Sequence, residues 1–370
     1  MDIMSLITDR DNTSSSSKML MLKDKEVAYI GESAIEVFEQ ALLPVGLRVY
    51  KELSFQKFYS WLNTRVIPLD RENSKKVLNR LGLSQSDKLD IIEYCKGLSL
   101  TDCYWIKDVI TEDTWESVNL YTNKFSEAVA ELAFIGSSDI TVSGRIATPE
   151  TVTQGSYAKC WSREENGIYL YKGNYKNGNE SAIEVIVSEM MDLLGVNHVA
   201  YTYSEYKGRE ACKCKNITSD KISIVPFYEF DSFYKVATGK HSSLDYISNL
   251  YPKDFYSMLL VDGIFKNTDR HSSNWGFYMN PDTGSLGNLH ELFDHNNSLV
   301  PEDDDTSILF PNKSLIECGR YAYRKLGKPE GVQTLKKWLK SKSAKKRFHE
   351  LKLDITLIDF VLERIDKIEL

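Results

Sequence analysis

Apolar and polar positions divide the chain into a helix-rich front, a strand-rich middle and a helical back half. Residues 1–18 are polar and serine-rich with no period, and read as a disordered tail. From Met19 to Ile30 a short alternating run predicts a strand. Phe55, Phe58, Trp61 and Leu62 then recur at helical spacing. Val77, Leu78 and Leu81 mark a second helix that stops at Gly82, and Leu89, Ile91, Ile92 and Cys95 a third that stops at Gly97. Residues 19–137 are expected to form a small α+β module with its connector, whose helix around Phe125–Leu132 packs on a neighbour.

From about Asp139 the texture changes. ITVSG, TVTQGSYAKCW and GIYLYKGN are rich in β-branched and aromatic residues broken by glycines, and predict strands. One helix follows, with Ile183, Ile186, Val187, Met190, Met191 and Leu194 on one face and Gly195 as its stop. A further strand pair leads to ISIVPFYEF, and beyond Asp231 the pattern is mostly helical, interrupted at residues 267–312 by short strands and loops. This order predicts an α+β, bilobal protein-kinase-like fold: a strand-rich N-lobe over 138–230 and a helical C-lobe over 231–370, preceded by the small module.

Composition narrows the function classes. Of 370 residues, 42% are hydrophobic and 27% charged, the balance of a globular protein that buries a core. A net charge of −7 argues against broad nucleic-acid binding, which needs a positive surface to displace counterions from phosphates. The N-terminus lacks the cationic start and apolar core of a secretory leader, and no run approaches the roughly 20 apolar residues that span a bilayer. The six cysteines are scattered, and the one close pair, Cys212 and Cys214, has no second cluster to complete a zinc site. Reduced thiols in a cytoplasmic protein are the expectation.

The segment carrying chemistry is IFKNTDRHSSNWGFYMNPDTGSLGNLHELFDHNNSL, residues 264–299. Phosphoryl transfer from ATP needs a carboxylate to take the proton of the attacking hydroxyl, and oxygen ligands that hold magnesium across the phosphates. Asp269 and Asn274 have the separation that the catalytic Asp and metal-binding Asn have in the H-R-D-x-x-x-x-N loop of protein kinases. Asp294 follows an apolar approach, Leu292-Phe293, and stands where the second magnesium ligand belongs. The competing reading makes Asp269 and Arg270 a surface ion pair, Asn274 a turn cap and Asp294 a loop closure. A cation on the phosphates is also required. Lys172 lies in the apolar strand IYLYKGN, and a buried lysine there demands a partner. Glu184, early in the following helix, is preferred over Glu180 and Glu189. Gly155-Ser156, with Lys159 behind them, could present backbone N–H groups to phosphate oxygens. Pro226–Phe230, Phe227 included, is the expected hinge for adenine.

At DRHSSNWGF followed by LFDHNNSL the sequence resembles the HipA-like serine/threonine kinases, and the D-R-H-x-x-N loop is shared more distantly with the phosphatidylinositol kinases. The resemblance covers residues 139–310 by motif and the remainder more loosely. It implies a bilobal kinase, ATP and magnesium as cofactors, and a protein substrate accepting on serine or threonine. By the same resemblance Asp269 would be the base, Asn274 and Asp294 the metal ligands, Lys172 and Glu184 the ATP-binding pair, and His271 a neighbour of the phosphates. The family's glycine loop reads G-x-Q-x-K, whereas this chain has Gly155-Ser156-Tyr157-Ala158-Lys159: glycine and lysine match, glutamine does not. Family members phosphorylate a serine just ahead of that glycine. Here Val152 stands near that place, flanked by Thr151, Thr153 and Ser156. The front module reads as more helical than the family's short barrel-like domain, and is a candidate surface for a regulatory protein partner. Bacterial origin and a toxin–antitoxin role are further implications of the family. Two alternatives remain at this stage: a nucleotide-binding scaffold without transfer activity, and a lipid or small-molecule kinase. Glu302–Asp305 could attract a basic substrate segment or form a solvated loop, and basic Lys336–Arg347 fits the wet face of a helix.

Overall fold

A computed structural model describes residues 17–137, 148–175 and 177–370. The expected tail up to residue 16 and the expected strand over ITVSG lie outside the described residues.

The front module is built on an antiparallel sheet of β1 (Lys18–Leu22), β2 (Lys25–Ile30), β3 (Ile35–Val37) and β4 (Tyr104–Asp108), in the order β3-β2-β1-β4. The single strand expected over Met19–Ile30 is a hairpin, turning at Lys23, whose φ of 54° is left-handed. Leu20, Met21 and Leu22 are all buried, so both faces of β1 are covered and no period of two marks its end. The helices follow the expected spacing. They are α1 (Phe55–Leu62), capped by the Ser54 side chain, α2 (Ser74–Arg80) and α3 (Lys88–Cys95), capped by Asp87. A short α4 (Trp115–Val118) and α5 (Glu127–Ile135) lead out of the module, and Gly136 at φ 86° ends α5.

The second antiparallel sheet holds β5 (Lys159–Glu164), β6 (Gly167–Gly173), β7 (Tyr201–Tyr206) and β8 (Arg209–Lys215) in the order β5-β6-β8-β7. Its register sets Lys159 directly opposite Lys172, so both ammonium groups lie on one face. Against that sheet packs α6 (Glu180–Leu194), the amphipathic helix read from the sequence, ended by Gly195 in the left-handed region. The segment TVTQGSYAKCW is a strand only from Lys159 onward. Before it runs one short helical turn at Pro149–Thr151 and then the glycine loop.

A third sheet, β11-β10-β9, ties the two halves together: β9 (Ser223–Pro226), β10 (Gly276–Met279) and β11 (Leu286–Leu289). Gly276 permits the approach, since a Cβ there would stand 2.1 Å from the Val225 carbonyl oxygen. The stretch ISIVPFYEF is a strand only to Pro226, and α7 (Phe227–Thr238) starts at once. The rest is helical: α8 (Leu244–Leu250), α9 (Pro252–Phe265), α10 (Leu315–Lys325), α11 (Glu330–Leu339), α12 (Lys342–Glu350) and α13 (Thr356–Glu369). α9 is buried along most of its length and crosses α10 where Gly263 meets Gly319. One core joins α6 to these helices. A second fills the front module and takes in Ile168, Val225 and Met279 from the other sheets. The basic Lys336–Arg347 stretch is held by acids, with Lys336 on Asp366 and Glu369, and Arg347 on Glu189.

Candidate active site

The strand lysine and the helix glutamate meet. Lys172 on β6 is 3% exposed, and its Nζ lies 2.6 Å from Glu184 Oε2 on α6 and 2.6 Å from Asp294 Oδ1. Glu184 Oε1 in turn accepts from the backbone N–H of His295 at 2.8 Å, which fixes the loop that carries Asp294. Burial opposes the Lys172 charge, but the two carboxylates outweigh it and hold the ammonium well above its ordinary range. Burial likewise opposes ionisation of Asp294, yet Lys172 and Lys159 beside it keep its carboxyl well below the usual carboxylate range. Of the other two candidate partners, Glu180 accepts from the amides of Tyr175 and Asn177, and Glu189 pairs with Arg347.

The loop after α9 sets the other groups. The Asp269 carbonyl accepts from the Asn274 side-chain N–H at 2.9 Å and from the His271 amide at 2.8 Å. With its NH2 engaged there, Asn274 turns its amide oxygen the other way. Asp294 keeps a second carboxylate oxygen beside the one on Lys172. Both residues line one cleft of about 590 Å³, with Lys172, Lys159, Gly155 and His271. Two hard oxygen donors on the same cleft suit magnesium, which accepts a few protein oxygens and completes its shell with phosphates and water. Among the described residues no group of three or more His, Cys, Asp or Glu side chains is gathered as a metal site. Asn274 with one acid is therefore the donor set to be considered. Asp269 Oδ2 accepts from Asn297 Nδ2 at 2.9 Å.

Arg270 is not Asp269's surface partner. It is 2% exposed and pairs with Asp262 of α9 at 3.0 Å. It also donates to the carbonyls of Asn274 and Phe293 at 3.0 Å each, and its Nη2 meets His295 Nε2 at 2.8 Å. Burial and the guanidinium hold His295 well below its ordinary pKa, so the ring is neutral and its Nε2 can accept.

Gly155 and Ser156 are exposed in the glycine loop, where Gly155 has φ 92°. Lys159 is buried behind them, its Nζ 3.2 Å from the Gln154 carbonyl, and burial lowers its pKa to about 8. The front module grips this loop. Ile67 N–H donates to Thr151 O at 2.8 Å, Glu72 N–H to Ser156 O at 3.0 Å, and Gln154 Nε2 to the carbonyls of Thr64 and Val66 at 2.9 Å each. Arg71, 2% exposed, donates to the carbonyls of Glu150, Thr153 and Lys159. Thr151 is buried and Thr153 donates to Pro149 O, whereas Ser156 is exposed beside Asp70. Phe227 lies apart from the other named residues. Its ring is buried and stacked on Trp275 at 4.0 Å, and its amide donates to Trp275 O, while Pro226 and Tyr228 reach the cleft. Sequence reasoning passed over Arg71, Tyr157 and Asn297. The one available signal was a polar residue, Asn297, three positions beyond Asp294.

A strand-rich lobe over a helical lobe, with a glutamate-held lysine, Asp294 and the Asn274 loop on a shared cleft, is a bilobal kinase-like architecture. The fold is that of the HipA-like kinases, and comparisons with known proteins bear out the resemblance read from the motifs. The chain is 25% identical over 147 residues to the serine/threonine-protein kinase CtkA of Helicobacter pylori; the match covers 36% of this chain and 44% of CtkA. It superposes on HipA from a Shewanella oneidensis toxin–antitoxin complex of HipA, HipB and operator DNA with a TM-score of 0.51 at 12% identity, covering 95% of each chain. The crystal structure of CtkA aligns with a TM-score of 0.45 at 17% identity, covering 58% of this chain and 91% of that one. No family model matches. Among the described residues no helix is long and apolar enough to cross a membrane.

Proposed function

We propose that this chain is an ATP- and magnesium-dependent kinase that phosphorylates serine or threonine of a protein, its own loop included, in the cytoplasm of a bacterium. The observation that carries this reading is the triad at Lys172, whose ammonium bridges Glu184 and Asp294 at 2.6 Å on the cleft that Asn274 also lines. Lys172, held by Glu184, would neutralise phosphate oxygens of ATP. Asn274 and Asp294 would hold magnesium, which supplies charge neutralisation across the phosphates when bound. Asp269 would take the proton of the acceptor hydroxyl as its oxygen bonds to the γ-phosphorus and ADP leaves. Backbone N–H groups around Gly155 would cover the phosphates, with His271 near them. Ser156 is the exposed hydroxyl of the glycine loop and the favoured site of autophosphorylation. The front module, which already grips that loop, is the surface through which a regulatory protein partner, such as an antitoxin, would act.

The test is transfer of label from γ-labelled ATP with magnesium, to the chain itself and to a generic basic protein. Asp269→Asn is expected to lower the rate on the order of 10²–10⁴-fold, the usual worth of a positioned general base, while leaving nucleotide-induced thermal stabilisation in place. A parent that is stabilised by ATP but transfers nothing would mark a binding scaffold. Transfer to lipid vesicles and not to protein would mark a lipid kinase.

A further inference from the structure

Tyr157 stands in the glycine loop where the resembled pattern has glutamine, and its hydroxyl does not face solvent alone. It donates to Asn297 Oδ1 at 2.8 Å, and Asn297 Nδ2 donates to Asp269 Oδ2 at 2.9 Å. The amide can be used in only one orientation. A carboxylate oxygen offers no hydrogen, so the NH2 end must face Asp269, and the oxygen is left for the phenol. Burial raises the Tyr157 pKa to about 12, which keeps that phenol a donor across the working pH range.

Asn297 is itself well anchored. It belongs to the loop that carries Asp294, which is pinned by the His295 amide on Glu184 and by the Leu299 amide on Phe265 O. The Asp269 backbone is fixed by Asn267, His271 and Asn274. Its carboxylate remains free to turn about two torsions, and the bond from Asn297 sets it. The Tyr157 ring packs on Tyr175 at a tilt of 60°, with centroids 5.4 Å apart.

We propose that Asn297 is a positioning residue for the Asp269 carboxylate and that Tyr157 ties the glycine loop to it, so that loop closure and orientation of the base are one event. This rests on Asp269 acting as the base. Two kinds of readout keep the failures apart: hydrogen exchange of the loop, which needs no activity, and the split between kcat and KM.

With the full chain, Asn297→Ala, Asn297→Asp and Tyr157→Phe are compared with the parent. Asn297→Ala is expected to lower kcat by about 10–100-fold, the range of a lost charge-assisted hydrogen bond, with KM for ATP rising only about as much as in Tyr157→Phe. Asn297→Asp, which faces one carboxylate with another, falls at least as far. Tyr157→Phe keeps the Asn297–Asp269 bond but frees the loop, and lowers kcat by less than Asn297→Ala does. It speeds amide exchange at residues 154–158 and raises KM for ATP. A kcat within threefold of the parent in Asn297→Ala, or loop exchange unchanged in both Tyr157→Phe and Asn297→Ala, overturns the proposal. A parent without transfer activity refutes the kinase reading instead, and loop exchange still decides whether the tie exists.

Discussion

Replacing Lys172 by Met removes the cation shared by buried Glu184 and half-buried Asp294 and keeps most of its stem volume. Glu184 is 1% exposed, and Asp294 lies within the same cluster, each 2.6 Å from the lost ammonium. Deleting one partner of a buried ion pair costs about 3–5 kcal/mol, because the survivor keeps its desolvation penalty without its attraction. The enclosed Glu184 puts the variant toward the upper end, while Asp294 is one-fifth exposed and keeps Lys159 beside it. At roughly 2–4 °C per kcal/mol for a domain of ordinary size, the melting temperature is expected to fall by about 10 °C or more. The loss also depends on pH. Without Lys172 one carboxyl has a raised folded-state pKa, so the native form binds more protons than the unfolded one between the two values, and its stability falls as pH rises through that window. The difference between parent and variant is therefore larger at pH 8 than at pH 5. Adding Glu184→Leu removes the repelling charge, and the double variant should melt above Lys172→Met alone. The assay is thermal melting by circular dichroism at both pH values, with coupling taken from the double-mutant cycle. A single variant melting within 1–2 °C of the parent, or a double variant no better than the single, refutes the electrostatic argument.

Arg71→Lys keeps a charge but loses the fork that reaches three carbonyls, and is expected to destabilise by about 2 kcal/mol and to speed exchange at residues 150–158; melting and exchange mass spectrometry check both. His290 is buried against Phe293, and burial lowers its pKa to about 4. The unfolded chain therefore binds a proton that the native form refuses between pH 6.5 and 4, and stability falls as pH drops through that window. His290→Gln should flatten that part of the stability–pH curve; an unchanged slope in urea titrations contradicts the reading.

The placement of the candidate residues was legible where it is local. Asp269 and Asn274 share one loop, and their five-residue separation survives any arrangement of the rest. Lys172 and Glu184 were legible because a lysine in an apolar strand must find an acid, and the next helix presented one. The start of α7 was hidden because ISIVPFYEF has the β-branched and aromatic texture of a strand throughout. Only the change at Pro226 marks where pairing with β10 stops and α7 begins. The hairpin at Lys23 was hidden by burial of both faces. The grip between the front module and the glycine loop, through Arg71 and Gln154, spans 79 residues of sequence or more, and no periodicity announces such a contact. Asn297 was passed over because it sits in a turn, DHNNSL, and its side-chain role depends on Tyr157, 140 positions away.

The order of letters in Asp269-Arg270-His271 through Asn274 follows from Arg270. Its side chain points inward, since Asp262 on α9 and neutral His295 wait there, and neighbouring side chains in an irregular loop diverge. Asp269 on one side is thereby left to Asn297, whose side-chain N–H its carboxylate accepts. The same guanidinium holds the carbonyl of Asn274 and that of Phe293, the residue before Asp294. A single buried side chain thus fixes the backbone at Asn274 and beside Asp294, and clamps the Asp269–Asn274 loop to the loop of Asp294. Planarity is what allows it, because four acceptors are met by one rigid fork that an ammonium could not reproduce. The separation between the two donors is accordingly set by the reach of one arginine rather than by the sheet hairpin β10–β11 between them. Changes of length in that hairpin should be tolerated by the site, whereas a change at Arg270 should not.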